Sequence, residues 1–162
     1  MSPKKAFYQQ FESVAQLTEY LRAREIPFEL IYHGEHPPKT AQEAARRLNL
    51  GVDQIAPVIL VKAGDSYYTC IKLGDRRLKL ERIGQPLAQE VEVPSAASVE
   101  RELGVRIGNL GLLFDWFPVI LDQGITEKSA IWGGSGLREF TLKMAGRHLL
   151  KAHTVRYIGA IT

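Results

Sequence analysis

The alternation of apolar and polar positions predicts short helices and strands along the whole chain. Apolar residues of VAQLTEYL (residues 14–21) recur at helical spacing, and the pattern closes before FELIYH (28–33), which has the composition of a strand. Thr40 and Glu43 stand at capping-box spacing, so a second helix is expected to begin there and to stop at Gly51.

The middle of the chain predicts an antiparallel hairpin followed by helices. Two apolar runs, PVILVK (57–62) and SYYTCIKL (66–73), are separated by a short link that contains glycine. A helix is then expected from Ser95 or Ser98, both good N-caps, to Leu103 before Gly104. The last third predicts three strands and a terminal helix, at PVILDQ (118–123), SAIWGG (129–134), REFTLKM (138–144) and AGRHLLKA (145–152).

Strands and helices interleave in this order without a strict βαβ rhythm. The expected fold is therefore a mixed α+β or α/β domain, with residues 1–162 forming one domain and no internal repeat. No apolar run is long enough to span a membrane, and the start of the chain lacks the apolar segment of a secretory signal. The single cysteine, Cys70, predicts a small core residue rather than a disulfide or zinc ligand. These features favour a cytoplasmic protein.

The net charge and the local motifs exclude only a few kinds of binding or catalytic site. The formal net charge of +3 is compatible with a polyanionic partner, and the pairs at 46–47 and 76–77 are either phosphate contacts or solvated arginines. No phosphate-binding loop, nucleophile elbow or zinc-protease motif is present. His33, Glu35 and His36 lack a fourth ligand nearby, so no metal or other cofactor is predicted. His148 and His153 are expected at the surface or at a helix end.

Two glycine-rich segments are stronger candidates for a binding site. GVRIGNLG (104–111) and GGSG (133–136) each place bare backbone beside a predicted strand. Their N–H groups can approach a ligand or hold a carbonyl oxygen, which would build a pocket without catalytic side chains. The alternative is that these glycines only serve turns and bulges.

The order of these segments resembles the YbaK/prolyl-tRNA synthetase-associated family of aminoacyl-tRNA editing domains. The resemblance covers roughly residues 13–152 and is carried by EIPFELIYH, TAQEAARRLNLGVDQI, LGDRRLKLERI, ELGVRIGNLG, FPVILDQGI and IWGGSGLREFTLKMAGRHLLK. It implies a central mixed, twisted, partly barrel-like sheet surrounded by helices. It also implies a pocket for the 3′ end of an aminoacyl-tRNA, whose mischarged ester is hydrolysed.

The resemblance further implies which residues bind the substrate. Carried over position by position, the substrate-binding candidates are His33, Thr40, Asp75, Gly108, Asn109, Gly111, Asp122, Gly134, Ser135 and Gly136. An aminoacyl-tRNA synthetase is a further possible partner, whereas neither DNA nor a membrane is expected as one.

Two departures from the family pattern bear on activity. The lysine that the family carries shortly after Ile55 is replaced by Pro57, and the family's SPFG segment reads LGLL (110–113). Proline offers neither a charge nor an N–H to a phosphate or carbonyl oxygen. Lys62 on the same predicted strand, or Lys72 on its hairpin partner, is a possible substitute; each is equally a surface lysine. The catalytic residue is therefore unknown.

Three functions follow from this reading. The first is a trans-acting aminoacyl-tRNA deacylase, impaired or not by the loss of the lysine. The second is an inactive binding or regulatory module that recognises tRNA, an amino acid or a related ligand. The third is an interaction domain without a small-molecule site.

Overall fold

The computed structural model describes residues 7–162, and the first six residues, on which the predicted absence of a signal segment partly depends, lie outside it. Within this range no helix is long and apolar enough to cross a membrane. The α-helices are α1 (Val14–Ala23), α2 (Ala41–Leu48), α3 (Leu80–Leu87), α4 (Ala96–Leu103) and α5 (Leu149–Ala152). The strands are β1 (Phe28–Tyr32), β2 (Val58–Ala63), β3 (Ser66–Ile71), β4 (Val91–Glu92), β5 (Val119–Asp122), β6 (Ile131–Gly134), β7 (Phe140–Met144) and β8 (Val155–Gly159).

The strands form two sheets. The larger has the order β4-β2-β3-β5-β8, with β2 and β3 as the predicted antiparallel hairpin and β3, β5 and β8 running parallel. The smaller has the antiparallel order β1-β7-β6. The mixed α/β class is thus confirmed, although the strands divide between two sheets and do not close into a barrel.

Pro57 marks the place where the chain passes from one sheet to the other. Just before it, Ile55 forms a parallel bridge with Trp132, and the Ala56 amide donates to the Trp132 carbonyl at 2.8 Å. Pro57 has no N–H with which to continue that pairing, and its carbonyl instead accepts from the Lys72 amide. A proline therefore suits this switch point.

The core lies on both faces of the larger sheet. All four residues of β5 are buried; Val119 and Leu121 face the cluster that includes α1, whereas Ile120 faces α3. This pattern is typical of a parallel strand covered on both sides. Cys70 lies in the α3 cluster as predicted, and burial raises the pKa of its thiol to about 12, which keeps it protonated.

The end of α2 differs from the prediction. The helix begins as expected, with the Thr40 hydroxyl accepting from the Glu43 amide, but it stops at Asn49 rather than Gly51. Asn49 adopts a left-handed conformation (φ 56°) that asparagine tolerates, and its amide bonds the Ala45 and Arg46 carbonyls.

The C-terminal region also corrects the sequence analysis. The predicted terminal helix is a 3-10 turn followed by the single turn α5, and β8 then continues the larger sheet. His148 lies at a helix end but is buried rather than at the surface. Burial lowers its pKa, and the neighbouring Arg147 and Lys151 lower it further. The apolar spacing of the four residues LLKA is too short to predict the length of the helix or the strand β8 that follows it.

Candidate functional site

A cavity of about 220 Å³ lies where the smaller sheet meets the start of α2 and the Pro57 crossover. Both glycine-rich segments reach it, one through the 3-10 turn Ile107–Asn109 and the other through the β6–β7 connection. Of the predicted site residues, seven line it: His33, Thr40, Gly108, Asn109, Gly134, Ser135 and Gly136. Pro57 lines it as well.

Neither lysine considered as a substitute for the missing one lines this cavity. The Lys72 ammonium is buried and donates to the Gly74 and Arg76 carbonyls at 3.1 and 2.5 Å. Its burial lowers its pKa, although Asp75 and Asp122 oppose that shift. Lys62 instead pairs with Glu102 at 3.6 Å on the larger sheet.

The other three predicted site residues lie outside the cavity wall. The buried Asp122 carboxylate accepts from the Leu73 amide at 3.1 Å and from the Thr162 hydroxyl at 3.3 Å, so it ties the last residue to the end of β3. Asp75 accepts from the Gln42 side chain of α2 at 2.8 Å. Gly111 packs beneath the second glycine segment, where a Cβ would lie 2.7 Å from the Gly136 nitrogen.

The two glycines that end β6 are required by close contacts with neighbouring segments. A Cβ at Gly133 would meet Leu112 at 2.8 Å and the Ala56 carbonyl oxygen at 2.9 Å, and one at Gly134 would lie 2.9 Å from the Leu110 carbonyl oxygen. All three distances are shorter than the contacts of real Cβ atoms. The cavity wall is therefore bare backbone at these positions.

Ser135 and Gly136 have different roles in the same loop. The buried Ser135 hydroxyl lies 2.7 Å from the Phe140 carbonyl oxygen and accepts from the Leu137 amide, so it shapes the loop and is not free as a nucleophile. Gly136 has φ +85°, which favours glycine, and its amide makes no backbone hydrogen bond within residues 7–162. Gly136 also lines the cavity, so this amide belongs to the cavity wall.

His33 is fixed on both sides of its ring. Its Nε2 lies 2.9 Å from the Arg138 carbonyl oxygen and its Nδ1 lies 3.0 Å from the Thr141 hydroxyl. A carbonyl only accepts, so Nε2 donates to it, while Nδ1 shares a hydrogen bond with the Thr141 hydroxyl. His33 thus positions the loop before β7 and has no nitrogen left to act as a base.

Sequence reasoning missed several lining residues, above all Lys39 and Arg138. Each stands directly beside a recognised feature, Lys39 before the N-cap of α2 and Arg138 after the second glycine segment. Among residues 7–162, they and His33 are the ionisable residues of the lining, and no aspartate or glutamate of this range lines the cavity. Residues 7–162 form no cluster of three metal-ligating side chains. The cavity therefore suits an anionic or polar organic ligand.

Comparisons with known proteins agree with this architecture. The chain superimposes on the crystal structure of a hypothetical protein with a TM-score of 0.78 and 21% identity, covering 90% of this chain and 97% of that one. A candidate trans-editing enzyme for prolyl tRNA synthetase gives a TM-score of 0.74 and 18% identity, covering 94% and 99%. At these identities the two structures establish the fold alone.

Sequence comparisons add the family. The chain is 29% identical over 99 residues to a proline–tRNA ligase of Thermosipho africanus (strain TCF52B), which is 59% of this chain but only 18% of the ligase. The sequence profile described as "Aminoacyl-tRNA editing domain" matches residues 35–152, a range that includes every residue assigned to the cavity except His33. The chain therefore belongs to the aminoacyl-tRNA editing domain family, as its resemblance to YbaK-type domains predicted.

Proposed function

We propose that this chain is a trans-acting aminoacyl-tRNA deacylase that hydrolyses the ester of a mischarged tRNA. The observation that carries the proposal is the cavity wall of bare glycine backbone, in which, among residues 7–162, the Gly136 amide makes no backbone hydrogen bond and no acidic side chain takes part. The substrate would be misacylated tRNA released by an aminoacyl-tRNA synthetase in the cytoplasm. Family membership supports this reaction class.

The reaction needs no protein nucleophile. Water attacks the ester carbonyl, the bond to the terminal ribose oxygen breaks, and the proton from water passes to that oxygen as free amino acid leaves. A backbone amide aimed at the developing oxyanion lowers the barrier by about 3 kcal/mol. Holding water and ester together contributes further through orientation. Because both His33 nitrogens are occupied, the proton would travel through the tRNA's neighbouring hydroxyl.

A panel of mischarged tRNAs tests the proposal. The purified chain is expected to accelerate hydrolysis of at least one member by more than about tenfold over buffer, because each oriented amide contributes at least that factor. Circular dichroism should accompany every assay to show that the protein is folded. A folded protein that leaves the whole panel intact would contradict the proposal.

A second candidate is a module that binds tRNA without hydrolysing it, and Pro57 specifically favours it. This residue places an apolar ring in the cavity wall at the position where the family resemblance expects an ammonium group. Saturable binding of mischarged tRNA without turnover would support this alternative. Gain of hydrolysis in Pro57→Lys, with none in the wild type, would show that the proline alone removed the activity.

A further inference from the structure

We propose that a second cavity, at the far end of the smaller sheet, binds a small monocarboxylate with an apolar body. This cavity has a volume of about 300 Å³ and lies where β1 begins and β7 ends. Among residues 7–162, its lining shares no residue with the lining of the first cavity. The proposal therefore goes beyond the deacylase activity and does not depend on it.

The wall of the second cavity is held in place by Gly146. Its amide donates to the Lys128 carbonyl at 2.9 Å, and a Cβ at this position would lie 1.7 Å from the Ile125 carbonyl oxygen. Gly146 thus fastens the turn that carries Arg147 and His148 to the segment just before β6. Because this wall is fixed by the fold, a ligand has little backbone to order when it binds.

The charged side chains of the lining leave one positive charge in excess. Among residues 7–162 they are two cations, Lys143 and Arg147, and one anion, Glu29. Lys143 lies 3.5 Å from Glu29, its neighbour across the strand pair, whereas the exposed Arg147 forms no ion pair with another residue of that range. A ligand with one negative charge would balance this lining. A carboxylate fits the guanidinium group of Arg147 because its two oxygens match the two parallel N–H groups.

His148 adds a polar group that lacks a partner within the fold. Its side chain lines the cavity and is only 8% exposed, and its Nδ1 is buried with no hydrogen-bond partner among the described residues. Burial, followed by Arg147 and Lys151, lowers its pKa, so the ring is neutral near pH 7 and offers one N–H. The terminal torsion of histidine is soft, so rotation of the ring brings Nδ1 toward the cavity. A carboxylate oxygen there would accept from it.

The apolar part of the lining distinguishes the ligand from an inorganic anion. Pro27, Phe28 and Met144 line the cavity, and Phe28 lies directly opposite Met144 across the strand pair. Small-molecule sites typically combine such apolar walls with a few polar groups that fix the orientation, and about 300 Å³ is the lower end of their volume range. The lining therefore suits a short aliphatic or aromatic carboxylate.

Titration with a carboxylate and its neutral amide tests the proposal. Isovalerate, isovaleramide and acetate are added to the nitrogen-labelled full chain, and backbone amide shifts are followed by NMR. Isovalerate should bind with a Kd of about 1 mM and shift the amides of residues 145–148. Isovaleramide, which lacks the charge, and acetate, which lacks the apolar body, should each bind at least about tenfold more weakly.

Two variants assign the polar contacts. Arg147→Met should weaken isovalerate binding about tenfold and leave isovaleramide binding unchanged, because only the acid uses the guanidinium. His148→Phe keeps a ring of similar shape and should weaken isovalerate binding about fivefold through loss of one hydrogen bond. Arg77→Met is the matched control, since it removes an exposed arginine that does not line this cavity and should keep the wild-type affinity.

Four results would overturn the proposal. The first is the absence of a saturable shift at about ten times the expected Kd. The second is equal affinity for isovalerate and either comparison ligand. The third is an equal loss of affinity in Arg77→Met and Arg147→Met, which would mean that net charge alone attracts the anion. The fourth is a set of shifts confined to residues 134–136, which would place the carboxylate in the first cavity. None of these results bears on hydrolysis of mischarged tRNA.

Discussion

The sequence predicted site residues both at the cavity and around Lys72 and Asp122. The polar groups of the two regions differ in whether they have partners within the fold. Around the end of β3, the Lys72 ammonium meets two carbonyls and the Asp122 carboxylate meets an amide and a hydroxyl. At the cavity, the Gly136 amide and the cations of Lys39 and Arg138 have no such internal partners among the described residues. Polar groups satisfied within the fold stabilise it, whereas unsatisfied ones beside a cavity are available to a ligand.

The largest expected effect concerns the backbone wall of the cavity. Gly133→Val should lower the proposed deacylation rate by at least about 100-fold, since its side chain would displace Leu112 or the Ala56 carbonyl and so distort the cavity wall. Single-turnover hydrolysis of a mischarged tRNA measures the loss. Gly64→Ala, in the β2–β3 link away from the cavity, is the control for glycine replacement as such. A fully active, folded Gly133→Val would show that the wall is not part of the site.

The next effect belongs to the other region and concerns stability rather than rate. Asp122→Ala removes a buried acceptor from the Leu73 amide, and should lower the free energy of unfolding by about 2 kcal/mol. Urea denaturation measures this change. Below the unfolding transition, deacylation per folded molecule should stay at the wild-type value. A rate loss larger than the folded fraction explains would return Asp122 to the substrate-binding set.

The sequence predicted the fold more completely than it predicted the residues of the candidate site. Patterns such as the N-cap at Thr40 and the hairpin beside Cys70 depend on neighbouring residues, and the structure confirms them. The cavity depends on contacts between distant segments. Lys39 and Arg138 are almost 100 positions apart, and no local pattern indicates that they line one cavity. Asp122 illustrates the reverse problem: its partners Leu73 and Thr162 lie 49 and 40 positions away along the chain, so its structural role cannot be inferred from neighbouring residues.

A smaller effect on stability is expected from pH. It involves His153, which bonds the carbonyl of Leu112, the residue packed against Gly133 of the cavity wall. Burial lowers the pKa of His153, while its bond to the Leu112 carbonyl partly opposes the shift; its Nδ1 is buried without a partner among the described residues. Between the folded and unfolded pKa values, the unfolded chain therefore binds a proton at His153 that the folded chain does not bind. Stability is complete above the ordinary histidine pKa of about 6.5 and falls as the pH drops below it, by at most about 1.4 kcal/mol per pH unit for this group.

His153→Gln tests the pH effect, because an amide can still donate to the Leu112 carbonyl but cannot titrate. Urea midpoints between pH 7 and pH 5 should decline less steeply in this variant than in the wild type. His148, whose pKa is lowered in the same direction, should account for the slope that remains. Parallel profiles for the two proteins would mean that His153 does not contribute to the pH dependence.

The smallest effect concerns Lys62, which the sequence offered as a substitute for the family's lysine but which does not line the cavity. Lys62→Met removes a cation whose ammonium lies 3.6 Å from the Glu102 carboxylate of α4, in a pair that water still reaches. Exposed ion pairs contribute little, because water already solvates both charges and the long side chains lose freedom on pairing. Neither the melting temperature nor the proposed deacylation rate should change measurably, because Lys62 does not line the cavity. A folded Lys62→Met protein with a clearly reduced rate would show that positive charge outside the cavity contributes to substrate binding.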